Sequence, residues 1–234
     1  MQSYHIYLIR HGMTASNLEG RFIGKTDLPL CPEGIAGLAS LMQEGEYPGV
    51  GLVYTSPLLR CVQTAHLLYP EMDLISLPQL REFDFGDFEN KSLDQLKDDS
   101  RFVTFMENKM KSPAPGGSEG MAQFENRVME GFEVLLKDMM KKQIFSAAVV
   151  THGGVIMTLL GGCGLPRTKP SYWSCQPGEG YGILLNLAVW SNAKSFEIGG
   201  KIPYRGEPEQ EAQYHLVDPE YIRSLDQSMG GKDS

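Results

Sequence analysis

Residues 5–12 read His5-Ile6-Tyr7-Leu8-Ile9-Arg10-His11-Gly12, and this stretch decides the fold class. His5 to Ile9 is a short, mostly apolar run, which suits a strand buried within a sheet. A guanidinium and an imidazole stand at its end, and a glycine then lets the backbone turn. Two later stretches repeat the pattern. Leu52-Val53-Tyr54 leads into Ser56-Pro57, which reads as an N-cap and first helical residue, with Arg60 in the first turn. Ala147-Ala148-Val149-Val150-Thr151 leads into His152-Gly153-Gly154 and a helix expected to stop at Gly161-Gly162.

Working outward, Met72 to Leu77 is a third candidate strand, with Arg81-Glu82 just beyond it. Ile183 to Val189 and Phe196 to Ile198 read as the last strands. Helical spacing fills the gaps. Pro32 opens a helix with Ile35, Leu38 and Met42 on one face, and Leu58, Cys61, Ala65 and Leu68 form a second stripe. Ser92 opens a short helical stretch, and another surrounds Phe102, Phe105 and Met110. Met121, Phe124, Val128, Phe132, Leu135 and Met139 mark a long amphipathic helix after a Pro/Gly/Ser loop over 112–120. Alternating strands and helices imply an α/β fold: three layers, α/β/α, around a mainly parallel sheet.

Composition narrows the function. A chain of 234 residues, 41% hydrophobic, can bury a core without disulfides or structural metal. A net charge of −8 disfavours a nucleic-acid surface but allows a few arginines focused in one cleft. Cys31, Cys61, Cys163 and Cys175 form no CxxC pair and read as reduced thiols. The N-terminus lacks a basic segment followed by an apolar run, and no stretch approaches the ~20 apolar residues of a membrane span. The expectation is a soluble cytoplasmic protein.

In open parallel sheets, ligands bind beyond the carboxyl ends of the strands. Arg10, His11, Arg60 and His152 are therefore expected to converge, with Glu82 beside them. Two guanidinium groups can grip a phosphoryl group with charge-assisted bonds, and helix N-terminal amides such as that of Gly153 add donors. A neutral imidazole is a good nucleophile toward phosphorus. A carboxyl of raised pKa can protonate the leaving oxygen and later activate water. His5, His66 and His215 show no metal-ligand spacing, and there is no Walker or GxGxxG motif, so a metal site and nucleoside-triphosphate or dinucleotide cofactors are disfavoured.

These residues sit in ordered blocks that resemble the histidine phosphatase superfamily, of phosphoglycerate-mutase-like fold. Leu8-Ile9-Arg10-His11-Gly12-Met13-Thr14 with Asn17, residues 20–30, Pro32-Glu33-Gly34, residues 55–65, residues 80–89 and Val150-Thr151-His152-Gly153-Gly154 all resemble family blocks. The resemblance runs from about Tyr4 to about Ile198. It implies His11 as the phosphorylated nucleophile and Glu82 as proton donor, with neither metal nor organic cofactor. It also implies Arg10, Arg60, His152 and Asn17 on the phosphate, and Gly24 and Thr26 against the rest of the substrate. Met13, Cys31 and Phe88-Glu89-Asn90 depart from the commonest family residues.

Residues 92–118 lack the paired arginines of the family's mutases, which favours hydrolysis. The blocks over 85–89 and 116–120 are similar to those of small-molecule phosphatases, α-ribazole and broad-specificity enzymes among them. A phosphoglycerate mutase and a non-catalytic phosphate-binding module are the alternatives. The expected organisation is one domain over 1–200, a small helical cap over about 85–120, and a polar tail over 201–234. The expected partner is a small phosphorylated metabolite, with a homodimer as the base-rate assembly.

Overall fold

A computed structural model describes residues 3–205. Seven strands form one sheet in the order β3-β2-β4-β1-β6-β7-β5, where β1 is Ser3–Arg10, β2 Leu52–Thr55, β3 Leu74–Ser76, β4 Ser146–Thr151, β5 Gly164–Leu165, β6 Gly180–Asn186 and β7 Phe196–Ile202. β1, β2, β3 and β4 pair in parallel, and β6 is antiparallel to both β1 and β7. The sheet is thus mixed, with β6 alone running against the others.

Alternation along the central strands builds a core on each face of the sheet. Ile6 and Leu8 of β1 join Ala147 and Val149 of β4 in one cluster. Ile9, Ala148 and Val150 join the other. The first face is covered by helices α6 (Met121–Lys142), α7 (Gly153–Cys163) and α8 (Leu187–Ala193), which contribute Phe132, Leu159 and Trp190. The second face is covered by α2 (Pro32–Glu44) and α3 (Leu59–Leu68), which contribute Leu38, Cys61 and Leu68. Each fully buried large apolar side chain contributes about 1.5–3 kcal/mol. The one-turn helix α1 (Ala15–Leu18) follows β1, and α4 (Leu93–Leu96) and α5 (Ser100–Glu107) lie in the segment after β3.

Several elements differ from their sequence reading. Pro57 does not start a helix: α3 begins at Leu59, and Ser56 still belongs to the strand end, its N–H extending the ladder to Val150 O at 3.0 Å. Gly161-Gly162 does not stop α7, which runs to Cys163. A Cβ on Gly161 would lie 2.6 Å from Pro170, so this glycine serves close packing. On α2 only Leu38 of the expected stripe is buried, while Ile35 and Met42 are each 46% exposed. Gly34 packs directly on the Met13 backbone and turns the helix so that its neighbours face outward. Residues 187–189 open a helix rather than continue a strand, since the Asn186 side chain caps α8 by accepting from Ala188 N at 2.9 Å. The stretch expected to be a polar tail begins inside the fold. Lys201 and Ile202 end β7, and Tyr204 pairs with Glu46. The rest of that stretch, 206–234, lies outside the described residues.

Candidate active site

Three adjacent strands, β2, β4 and β1, end level with one another. Arg10 stands opposite Thr151, and Thr55 opposite Val150. The residues that follow each strand are therefore neighbours. His11 N donates to Thr151 O at 2.9 Å, and the rings of His11 and His152 lie edge to face with centroids 5.2 Å apart. His152 is fully buried between them, and His11 is 5% exposed.

Hydrogen bonds fix the protons. His11 Nδ1 lies 2.7 Å from Gly12 O, an acceptor only, so Nδ1 carries the hydrogen and Nε2 keeps its lone pair. Burial, followed by the Arg60 charge, lowers the His11 pKa to about 3, so the ring is neutral in ordinary solution. His152 is likewise held well below the usual histidine range, first by burial and then by Arg60. Its Nδ1 faces Arg60 Nη2 at 3.2 Å, a donor, and its Nε2 faces Ser56 Oγ at 2.8 Å.

The two arginines are set differently from surface cations. Arg60 is fully buried in the first turn of α3. It donates to Thr26 O and Gly24 O, each at 2.8 Å. Arg10 donates from Nη1 to Cys175 O at 2.7 Å. Among the described residues neither forms a salt bridge, and the Nε atom of each is buried without a hydrogen-bond partner. Two guanidinium groups outside any salt bridge, each with an orphaned donor, suit a multiply charged anion.

Glu82 completes the set. Its carboxylate accepts from Phe83 N at 3.0 Å and Gly154 N at 2.9 Å. Burial raises its pKa, opposed first by those two amides and then by Arg60 and Arg10. A Cβ on Gly154 would sit 2.2 Å from Glu82 Oε1, so only glycine lets the carboxyl approach α7.

The remaining expected residues take less direct places. Gly153 opens α7 beside the Arg10 side chain, where a Cβ would lie 3.7 Å from its Nε. Asn17 Oδ1 caps α1, accepting from Thr14 N and Thr14 Oγ1 at 3.0 Å each. Gly24 and Thr26 serve as acceptors for Arg60, because their amides and the Thr26 hydroxyl all go to Glu89. Of the aromatic residues in the surrounding loops, Phe88 and Trp173 are core, Phe85 packs at a tilt against Phe22 and Phe83, and Tyr172 is 70% exposed.

Sequence reasoning missed Ser56, Thr64 and Glu89 as site-building residues. Thr64 Oγ1 accepts Gly12 N at 2.9 Å and donates to Arg60 O at 2.7 Å, joining the β1 turn to α3. The Glu89 carboxylate accepts from Gly24 N, Lys25 N, Thr26 N, Thr26 Oγ1 and Phe85 N. The pattern around residue 89 shows only an acidic loop, since four of its five partner groups belong to residues 24–26, some sixty residues away. Glu89→Gln would set an NH2 group against those N–H donors. It is expected to cost about 1–3 kcal/mol, read as a lower thermal midpoint. An unchanged midpoint would count against this role.

The profile of the histidine phosphatase superfamily (branch 1) matches residues 6–180. The chain belongs to that superfamily. It stands with the family's phosphatases. It is 31% identical over 158 residues to the adenosylcobalamin/alpha-ribazole phosphatase of Escherichia coli K12, covering 66% of this chain and 76% of that one. It is 27% identical over 160 residues to a metal-independent phosphoserine phosphatase of Arabidopsis thaliana, covering 66% of each. The crystal structure of the alpha-ribazole phosphatase from Shigella flexneri superposes with a TM-score of 0.66 at 26% identity, covering 78% of this chain and 91% of that one. The fold is phosphoglycerate-mutase-like. Among the described residues, no helix of this histidine phosphatase is long and apolar enough to cross a membrane.

Proposed function

We propose that this phosphatase hydrolyses phosphate monoesters of small metabolites through a phosphohistidine on His11, without a metal ion. The observation that carries the reading is the arrangement around His11. A neutral ring with an unprotonated Nε2 lies beside the buried Arg60 and the partly buried Arg10, whose Nε atoms have no protein partner. Arg10, Arg60 and His152 are the groups to bind the phosphoryl oxygens and stabilise the charge that spreads over them in a loose transition state.

The chemistry balances in two steps. His11 Nε2 attacks phosphorus, the bond from phosphorus to the ester oxygen breaks, and protonated Glu82 gives its proton to that oxygen. The alcohol leaves. Water then attacks phosphohistidine, the ionised Glu82 takes the water's proton, and orthophosphate departs with His11 Nε2 free again. Desolvation raises the Glu82 pKa, which favours the protonated carboxyl that the first step needs, and the lowered His11 pKa leaves the imidazole neutral for attack.

The relatives whose names carry α-ribazole phosphate and phosphoserine support a small metabolite as substrate. α-Ribazole 5′-phosphate is one candidate within that class. The test is to quench the protein within seconds of mixing with an aryl phosphate in the presence of EDTA. Acid-labile phosphate should be found on the peptide containing His11, and turnover should persist with metal chelated. Full turnover with no phosphate on that peptide in rapid-quench experiments would end the covalent reading.

A further inference from the structure

A general acid must be aimed at one oxygen, so the segment that carries it has to be held still. Side chains from elsewhere hold every carbonyl from residue 79 to residue 82. Arg127 Nη1 donates to Gln79 O at 2.8 Å and to Arg81 O at 2.9 Å, and Nη2 donates to Glu82 O at 3.3 Å. Thr151 Oγ1 takes the remaining carbonyl, Leu80 O, at 2.9 Å. The segment is thus clamped between α6 and the end of β4. Gly131 lets α6 come close, since a Cβ there would lie 2.7 Å from the Gln79 Cβ.

Arg127 is itself locked. Glu119 accepts from its Nε at 2.9 Å and from its Nη2, and the two side chains are only 18% and 12% exposed. The guanidinium also lies 5.2 Å from the centroid of the Phe124 ring. A guanidinium has five N–H groups, and here three go to backbone carbonyls and two to Glu119. None is left for a substrate, in contrast to Arg10 and Arg60 with their orphaned Nε atoms. Glu119 also accepts from Asp84 N at 3.3 Å, so the same ion pair fixes the chain on both sides of Glu82.

We propose that Arg127, locked by Glu119, is a positioning residue that aims the Glu82 carboxyl at the leaving-group oxygen. This rests on Glu82 being the proton donor. A lysine cannot replace the planar fork, because its three donors radiate from one point and cannot span three carbonyls and a carboxylate. Misaimed acid harms only reactions that need a proton. Alkoxide leaving groups need one, whereas dinitrophenolate leaves without it.

The experiment compares kcat/KM for an alkyl phosphate and for 2,4-dinitrophenyl phosphate in the wild type, Arg127→Lys, Glu119→Gln and Glu82→Gln. Arg127→Lys is expected to lose at least about tenfold more on the alkyl ester than on the dinitrophenyl ester, a fraction of what a general acid contributes. Glu119→Gln should show the same selectivity to a smaller degree, and it decides the matter alone if Arg127→Lys does not fold. Equal losses on both esters, or none, would overturn the proposal while leaving the function intact, provided that Glu82→Gln is selective. A Glu82→Gln variant with equal losses on both esters would instead remove the acid assignment, and this proposal with it.

Discussion

Replacing His11 with alanine is expected to lower turnover of an aryl phosphate by roughly 10⁴- to 10⁶-fold, the scale on which removal of a covalent nucleophile or its base acts. Good leaving groups should not escape the loss, because the deleted atom is the one that bonds to phosphorus. Arg10, Arg60, His152 and Glu82 remain in place, so affinity for inorganic phosphate should change little. The expected signature is a collapse in kcat with binding retained. It is read by steady-state kinetics beside a phosphate titration, with EDTA present throughout. His11→Ala protein that still turns over within tenfold of the wild type would exclude the ring as nucleophile.

Glu82→Gln comes next in size. Loss of a general acid costs about 10²- to 10⁴-fold, borne almost wholly by esters with poor leaving groups. The pH dependence gives a second signature. Burial raises the Glu82 pKa, and the carboxyl must be protonated at the start of the cycle. kcat/KM should therefore fall as pH rises through that raised value, and Glu82→Gln should erase the fall. His11 acts in the opposite sense: with its pKa lowered to about 3, it protonates only in strong acid and should impose no acidic decline above that range.

Stability follows the same linkage. A carboxyl whose folded pKa lies above its unfolded value favours the fold fully below the unfolded value. That advantage is lost as pH rises through the folded one. As pH rises above the unfolded value, the desolvated Glu82 carboxyl therefore opposes folding. The melting difference should therefore shift in favour of Glu82→Gln as pH rises from 4 to 7, on top of a pH-independent cost of setting its NH2 group against Phe83 N or Gly154 N. A basic limb retained in Glu82→Gln, or a melting difference that does not depend on pH, would contradict this account.

Much of the site was legible because its chemistry-bearing residues lie directly after strands. Arg10-His11 and His152-Gly153-Gly154 follow short, mostly apolar runs that suit strands buried within a sheet. Parallel pairing then brings their ends level. The order of the strands was not legible. Nothing local says that β4 lies between β2 and β1, yet that order puts His152 between Ser56 and His11. Ser56 read as a helix cap because a serine before a proline usually is one. Its hydroxyl does accept from Leu58 N at 3.5 Å, but it also meets an imidazole ninety-six residues away, a contact that no local pattern shows.

Boundaries failed where long-range contacts competed with local signals. Gly161-Gly162 carries the composition of a helix stop, but the helix continues because Pro170 needs the space. Asn186 was readable as a cap, yet the apolar run across it hid the change from strand to helix.

By itself, the sequence determined the α/β class, the two sheet faces and the identity of the groups at the strand ends. Those features follow from periodicity and residue chemistry within short windows. Only the tertiary structure decided which arginines remain free for an anion and which is spent. Arg60 and Arg127 both stand near the start of amphipathic helices, but one keeps an orphaned Nε and the other satisfies all five of its donors. That difference depends on where carbonyls and carboxylates from distant segments come to rest, and no local pattern encodes it.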